Sequence, residues 1–139
     1  MRIIAEFCQN HNGQFEILRQ MISEAAEGGA THAKIQTIFA NDLSFRPEFE
    51  EGQINANGQV KVIKRPYQPE YERLKKLELS YEQHRSLVDE CRAAGMEPLT
   101  TAFNLNCIPL IRDLGWKSIK VASYDCGSTP LIEALADNF

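Results

Sequence analysis

Short apolar runs that break into polar residues recur four times along the chain. Ile3–Cys8 runs into Gln9-Asn10-His11-Asn12-Gly13, and the pattern returns at Thr31–Thr37, Glu97–Ala102 and Ser118–Ala122. Runs of this length bounded by turn residues read as buried strands. Between them the period changes to that of a helix. Leu18, Met21, Ile22 and Ala25 lie on one face of a helix predicted over Phe15–Glu27, which Gly28-Gly29 ends. Ser80 and Gln83 form a capping-box signature for a helix reaching Ala94, stopped by Gly95. Ile108, Ile111 and Leu114 mark a third helix with Pro109 in its first turn, and Pro130 opens a fourth carrying Leu131, Ile132 and Leu135.

The long segment 38–69 breaks this rhythm. It is rich in proline, glycine and asparagine, and segments of this length inside a compact domain are commonly functional. Asn57-Gly58 between Gln53–Ala56 and Gln59–Ile63 predicts a small hairpin with a type I′ turn, and Glu70–Leu77 a short helix. The β-α-β-α-β-α-β-α order argues a parallel sheet with right-handed crossovers. Neither a G-x-G-x-x-G nor a P-loop motif follows any strand, so the dinucleotide and P-loop folds lose their main support. What remains is the TIM-type (β/α)8 barrel, which works at the C-terminal ends of its strands and needs roughly 250 residues. These units are the first half of one, and the second half is expected outside the 139 residues.

Composition adds limits. The chain is 43% hydrophobic and 24% charged, with a net charge of −4 and no basic stripe, which disfavours nucleic acid. Its four cysteines are widely spaced and read as reduced. No apolar run approaches membrane-spanning length, so a soluble, cytoplasmic protein without a membrane partner is expected.

The chemistry-bearing residues sit near strand ends. Glu6 interrupts an apolar run, where an ionised group needs a partner. Lys34 and Gln36 close the second strand, Thr100-Thr101 the third, and Lys120 and Ser123 the fourth. Glu6 is either a site carboxylate or the structural partner of Lys34 or Lys120. His11 either binds a ligand or hydrogen-bonds its own turn.

The quoted residues, in their order and spacing, carry a resemblance. Ile4-Ala5-Glu6 with Asn10-His11-Asn12-Gly13, Ala33-Lys34-Ile35-Gln36-Thr37, Leu74–Ser80, Lys120-Val121-Ala122-Ser123 and Thr129–Ile132 resemble the sialic acid (N-acetylneuraminate) synthase family over essentially the whole chain. The resemblance implies a metal-dependent barrel that condenses phosphoenolpyruvate with an N-acetylated hexosamine to a nonulosonic acid. It implies Lys34, Lys120, Thr101 and Ser123 as phosphoenolpyruvate ligands and Glu6 as the group that positions or deprotonates water. Gln36 and Asp125 would face the sugar. A divalent metal, Mn or Mg, would polarise the sugar aldehyde, its two histidine ligands lying with a small antifreeze-like domain beyond this chain. A homo-oligomer is expected. Tyr124-Asp125, Ala102 and Gln9 depart from the common pattern, and the first two residues bear on the sugar side. Two other readings stand beside this one: a Schiff-base aldolase using Lys34 or Lys120, and a non-catalytic half-barrel that self-associates.

Overall fold

The computed structural model describes residues 1–139. Four strands, β1 (Ile4–Cys8), β2 (His32–Gln36), β5 (Glu97–Ala102) and β6 (Ser118–Val121), form one sheet in the order β1-β2-β5-β6. All three pairings are parallel. Helices α1 (Phe15–Glu27), α4 (Tyr81–Ala93), α5 (Ile108–Asp113) and α6 (Thr129–Asn138) connect or follow these strands. This is a parallel (β/α) half-barrel, as the element order predicts.

One face of the sheet carries Phe7, Ala33, Ile35 and Ala102, which pack into the core with Leu18, Leu87, Ile111 and Trp116 of the flanking segments. In a strand the neighbours of these residues must point the other way. The opposite face therefore presents Glu6, Lys34, Gln36, Thr101 and Lys120. Burying the apolar set against the helices is what turns the polar set toward the barrel axis.

The capping box forms as expected: the Gln83 N–H donates to Ser80 Oγ, and the Ser80 N–H donates to Gln83 Oε1. Gly29, at φ 82°, supplies the left-handed residue that ends α1. No helix is long and apolar enough to cross a membrane.

Four local expectations need correction. β1 is not a buried strand: only Phe7 is buried, because β1 lies at the sheet edge. The hairpin expected in segment 38–69 forms, from strands β3 (Gln53–Ile54) and β4 (Val60–Val62), but the rest is not irregular throughout: it holds a 3₁₀ turn (Ala40–Asp42) and the short helix α2 (Pro47–Glu51). The hairpin turn is not type I′, which needs a left-handed residue at both centres. Only Gly58 has positive φ; Asn55 Oδ1 instead accepts the Asn57 and Gln59 N–H groups and tightens the turn from its first residue. Helix α3 spans Tyr67–Lys75 rather than 70–77, because Pro69 falls within its first turn, where a missing N–H costs nothing.

The excursion is pinned to the sheet's C-terminal end. Asp42 accepts from Asn104 and Asn106, the Ala40 N–H donates to Glu78, and Tyr71 donates to Asn41. Arg46 donates to the Tyr124 hydroxyl and lies over the Tyr124 ring, 5.0 Å from its centroid.

Candidate functional site

Register places the site. Glu6 is the direct neighbour of Lys34, and two residues further on Gln36, Thr101 and Lys120 form a second row across three strands. Both rows lie on the axis-facing side near the strands' C-terminal ends. Cys8 breaks the β1–β2 ladder with a bulge and a φ of 49°. Left-handed backbone in a non-glycine residue is costly and clusters at functional sites.

Lys34 is the buried cation, with 3% of its surface exposed. Its Nζ donates to Glu6 at 2.8 Å and 3.0 Å. The apolar run around Glu6 predicts a desolvated carboxylate, but its side chain is 43% exposed, since β1 lies at the sheet edge. Burial pushes the Glu6 acid upward. The hydrogen bond from Lys34, the Cys8 groups and the Lys34 charge outweigh it and bring the acid below its ordinary 4.5. Glu6 is therefore a carboxylate at neutral pH. The Cys8 thiol is pushed up by burial and by Glu6, and drawn partly back by both Lys34 and Lys120. The register independently sets Lys34 and Lys120 on the same face near the strands' C-terminal ends. Cys8 stays a thiol at neutral pH, so it is no nucleophile.

Thr101 is buried on the second row, and no protein group bonds its hydroxyl. Thr100 points to the helix side and pairs with Thr37 at 2.9 Å, which is a packing role. Lys120 is exposed. Ser123 and Asp125 lie in a 3₁₀ turn after β6 (Ser123–Asp125). Ser123 opens that turn, and its hydroxyl hydrogen-bonds to neither lysine.

A cleft of about 710 Å³ opens beside these rows, between the excursion and the turn after β6. Gln36 and Asp125, the two predicted sugar-side residues, both border it, with Tyr124, Arg46, Arg73 and Gln9. Glu6, Lys34, Thr101, Lys120 and Ser123 lie outside it. The predicted residues thus divide into an axis-facing charged set and a cleft-lining polar set, joined at Gln36.

Sequence reasoning missed Gln9 and Arg73. Arg73 donates to Gln9 at 2.8 Å, and Gln9 donates to Gln36 at 2.8 Å. The signal for Arg73 was its spacing from Glu70, with which it pairs at 2.8 Å. For Gln9 the signal was a polar residue where a hydrophobe is common.

His11 and His84 are structural. His11 is buried and its Nδ1 accepts the Gly13 N–H at 3.0 Å, so its own turn claims it. His84 is buried, with Nδ1 2.9 Å from the Ser80 carbonyl. No three histidine, cysteine, aspartate or glutamate side chains converge as metal ligands. The residues of this chain do not fit a metal by themselves.

A parallel (β/α) sheet whose polar side chains gather near its C-terminal strand ends has the architecture of the (β/α) barrel class, in which functional residues lie at those ends. Comparison narrows the class. The NeuB family profile matches residues 21–139, and the chain belongs to the NeuB family. It is 31% identical over 134 residues to the N,N'-diacetyllegionaminic acid synthase of Legionella pneumophila, covering 96% of this chain and 36% of that protein. It is 28% identical over 141 residues to the human N-acetylneuraminate-9-phosphate synthase, covering 96% of this chain and 35% of that one. The crystal structure of an N-acetylneuraminic acid synthetase from Leptospira borgpetersenii superposes with a TM-score of 0.77 at 22% identity, over 98% of this chain and 41% of that one, which bears on the fold. The chain thus spans little more than a third of the length of these relatives.

Proposed function

We propose that this chain supplies the anion-holding half of a synthase that condenses phosphoenolpyruvate with an N-acetylated hexosamine, giving a nonulosonic acid and phosphate. The observation that carries the reading is the Glu6–Lys34 pair in register beside the Gln36–Thr101–Lys120 row. Phosphoenolpyruvate carries a carboxylate and a phosphate, and two cations with adjacent hydroxyls suit such a dianion. Lys34 is held rigidly by Glu6 and the sheet, so little ordering is lost when an anion arrives. Lys120 and Ser123, being exposed, complete the contact from the other side.

In the reaction the enol carbon C3 of phosphoenolpyruvate bonds to the aldehyde carbon of the open-chain sugar, and the aldehyde oxygen becomes a hydroxyl. Water adds at C2, phosphate departs with the electrons of its C2–O bond, and the new C2 hydroxyl gives up its proton to leave the ketone; of the two protons water brings, one ends on the sugar's new hydroxyl and one on phosphate. Glu6 is ionised and hydrogen-bonded to Lys34, so it orients that water and takes its proton as the C–O bond forms. Gln36 and Asp125 hold the sugar in the cleft. A divalent metal finds no ligand set among these residues.

The test is phosphate release by the protein expressed from its intact gene, with phosphoenolpyruvate, manganese and a panel of N-acetylhexosamines. Release that depends on both substrates is expected. No release with any sugar, or a lysine adduct trapped by borohydride with pyruvate, would overturn the reading in favour of inert or Schiff-base chemistry.

A further inference from the structure

Four side chains from three elements form a directed chain that ends in the cleft. Glu70 accepts two hydrogen bonds from Arg73, from Nε and Nη2, each at 2.8 Å. Arg73 Nη1 donates to Gln9 Oε1 at 2.8 Å, and Gln9 Nε2 donates to Gln36 Oε1 at 2.8 Å. Glutamine oxygen and nitrogen are ordinarily hard to tell apart. Here the arginine decides. A guanidinium has donors only, so the end of Gln9 that faces it must be the carbonyl. The other end of Gln9 is then its NH2, so the Gln36 atom facing it must be a carbonyl in turn. The Gln36 NH2 is left without a protein partner, on a residue that borders the cleft. Both amides are polarised in one direction by a charge at the far end of the chain.

We infer that Arg73, acting through Gln9, is a positioning residue that locks Gln36 as a hydrogen-bond donor toward an acceptor oxygen of the sugar. This rests on the proposed synthase reading for the ligand, though not for the relay itself. The oxygen is either the acetamido carbonyl or a sugar hydroxyl; both accept, but only the hydroxyl can also donate. Glu70 keeps Arg73 in place by a two-point contact, which is more directional than a single bond.

The decisive variants are at Gln9, in the protein expressed from its intact gene. Gln9→Leu removes the lock and frees the Gln36 amide to rotate. The KM for the N-acetylhexosamine should rise about three- to tenfold, the loss of roughly one oriented hydrogen bond, with the KM for phosphoenolpyruvate unchanged. Gln9→Glu keeps the shape but reverses the logic: its carboxylate binds Arg73 and must accept from Gln36, which turns the Gln36 carbonyl to the cleft. A loss at least as large as that of Gln9→Leu identifies the sugar oxygen as the carbonyl. A smaller loss identifies a hydroxyl, which can turn its own proton to meet the reversed amide. An acceptor KM within twofold of wild type in Gln9→Leu, or equal rises for both substrates, overturns the inference. If the wild type releases no phosphate, the synthase reading fails first, and the relay is read without substrate. Side-chain amide NMR should then show the Gln9 NH2 hydrogen-bonded and the Gln36 NH2 free; the opposite pattern overturns it.

Discussion

The Glu6–Lys34 pair is asymmetric, and the asymmetry has measurable consequences. Lys34 is all but sealed from water, whereas Glu6 keeps 43% of its side chain exposed. Removing one member of an ion pair is costly when the survivor is buried. Glu6→Leu strands a buried ammonium and should cost about 3–5 kcal/mol, or unfold the chain. Lys34→Met leaves a carboxylate that water still reaches and should cost no more than about 1 kcal/mol. Urea denaturation of the two variants checks the ordering, and equal losses would contradict it. The pH dependence follows with a definite sign. The folded Glu6 acid lies below its ordinary 4.5, so its stabilisation is complete above that value and fades as pH falls through the folded pKa. The wild type should therefore lose more stability than Lys34→Met below pH 4.5.

At the scale of elements, the β1–α1 loop is clamped against the α3–α4 connection. Gly13 has φ 76°, and a Cβ there would sit 1.9 Å from the Lys76 carbonyl oxygen. Gly29 has a similar φ of 82° but open space around it. Gly29→Ala should cost about 1 kcal/mol from backbone strain alone, and Gly13→Ala more than about 2 kcal/mol because backbone must also move. Thermal unfolding of the two variants separates strain from collision. His11 serves the same loop as an acceptor for Gly13, and burial holds its pKa below 6.5. Burial also lowers His84, against a smaller opposing effect of the Ser80 carbonyl. Below pH 6.5 the unfolded chain binds protons that these folded histidines refuse, so stability falls as pH drops, by at most about 1.4 kcal/mol per pH unit for each. His11→Asn keeps an acceptor for Gly13 without titrating there, and should remove the His11 share of the fall in urea midpoint between pH 7 and pH 5, leaving that of His84.

These elements also show where sequence was readable. Helix α1 and the Ser80–Gln83 cap were legible because spacing and capping are local. The rows of Glu6 with Lys34, and of Gln36 with Thr101 and Lys120, were legible as strand-end residues once the alternation was seen. The exposure of Glu6 was not, because it depends on strand order: a run such as Ile3–Cys8 reads alike at the centre or edge of a sheet. The Arg73–Gln9–Gln36 relay joins residues 64 and 27 positions apart, and no local pattern announces such contacts.

For the whole molecule, the governing fact is an open sheet. β1 and β6 each have a neighbour on one side only, and Ile3 and Ile4 are 41% and 52% exposed at the β1 edge. Unpaired edges beside exposed apolar residues are templates for association. Under the proposed function, the charged rows on the axis-facing side supply only part of the contacts that a bound dianion needs. Residues 1–139 expressed alone should therefore associate as concentration rises through the micromolar range, and should release no phosphate from phosphoenolpyruvate and any N-acetylhexosamine. Sedimentation velocity reads the first property and a phosphate assay the second. Ile4→Lys, which places a charge on the open edge, should shift the isolated chain toward monomer without restoring turnover. A stable monomer that already turns over would mean that Glu6, Lys34 and Lys120 suffice without further contacts. The edge exposure of β1 would then be a property of the working enzyme rather than a surface awaiting cover.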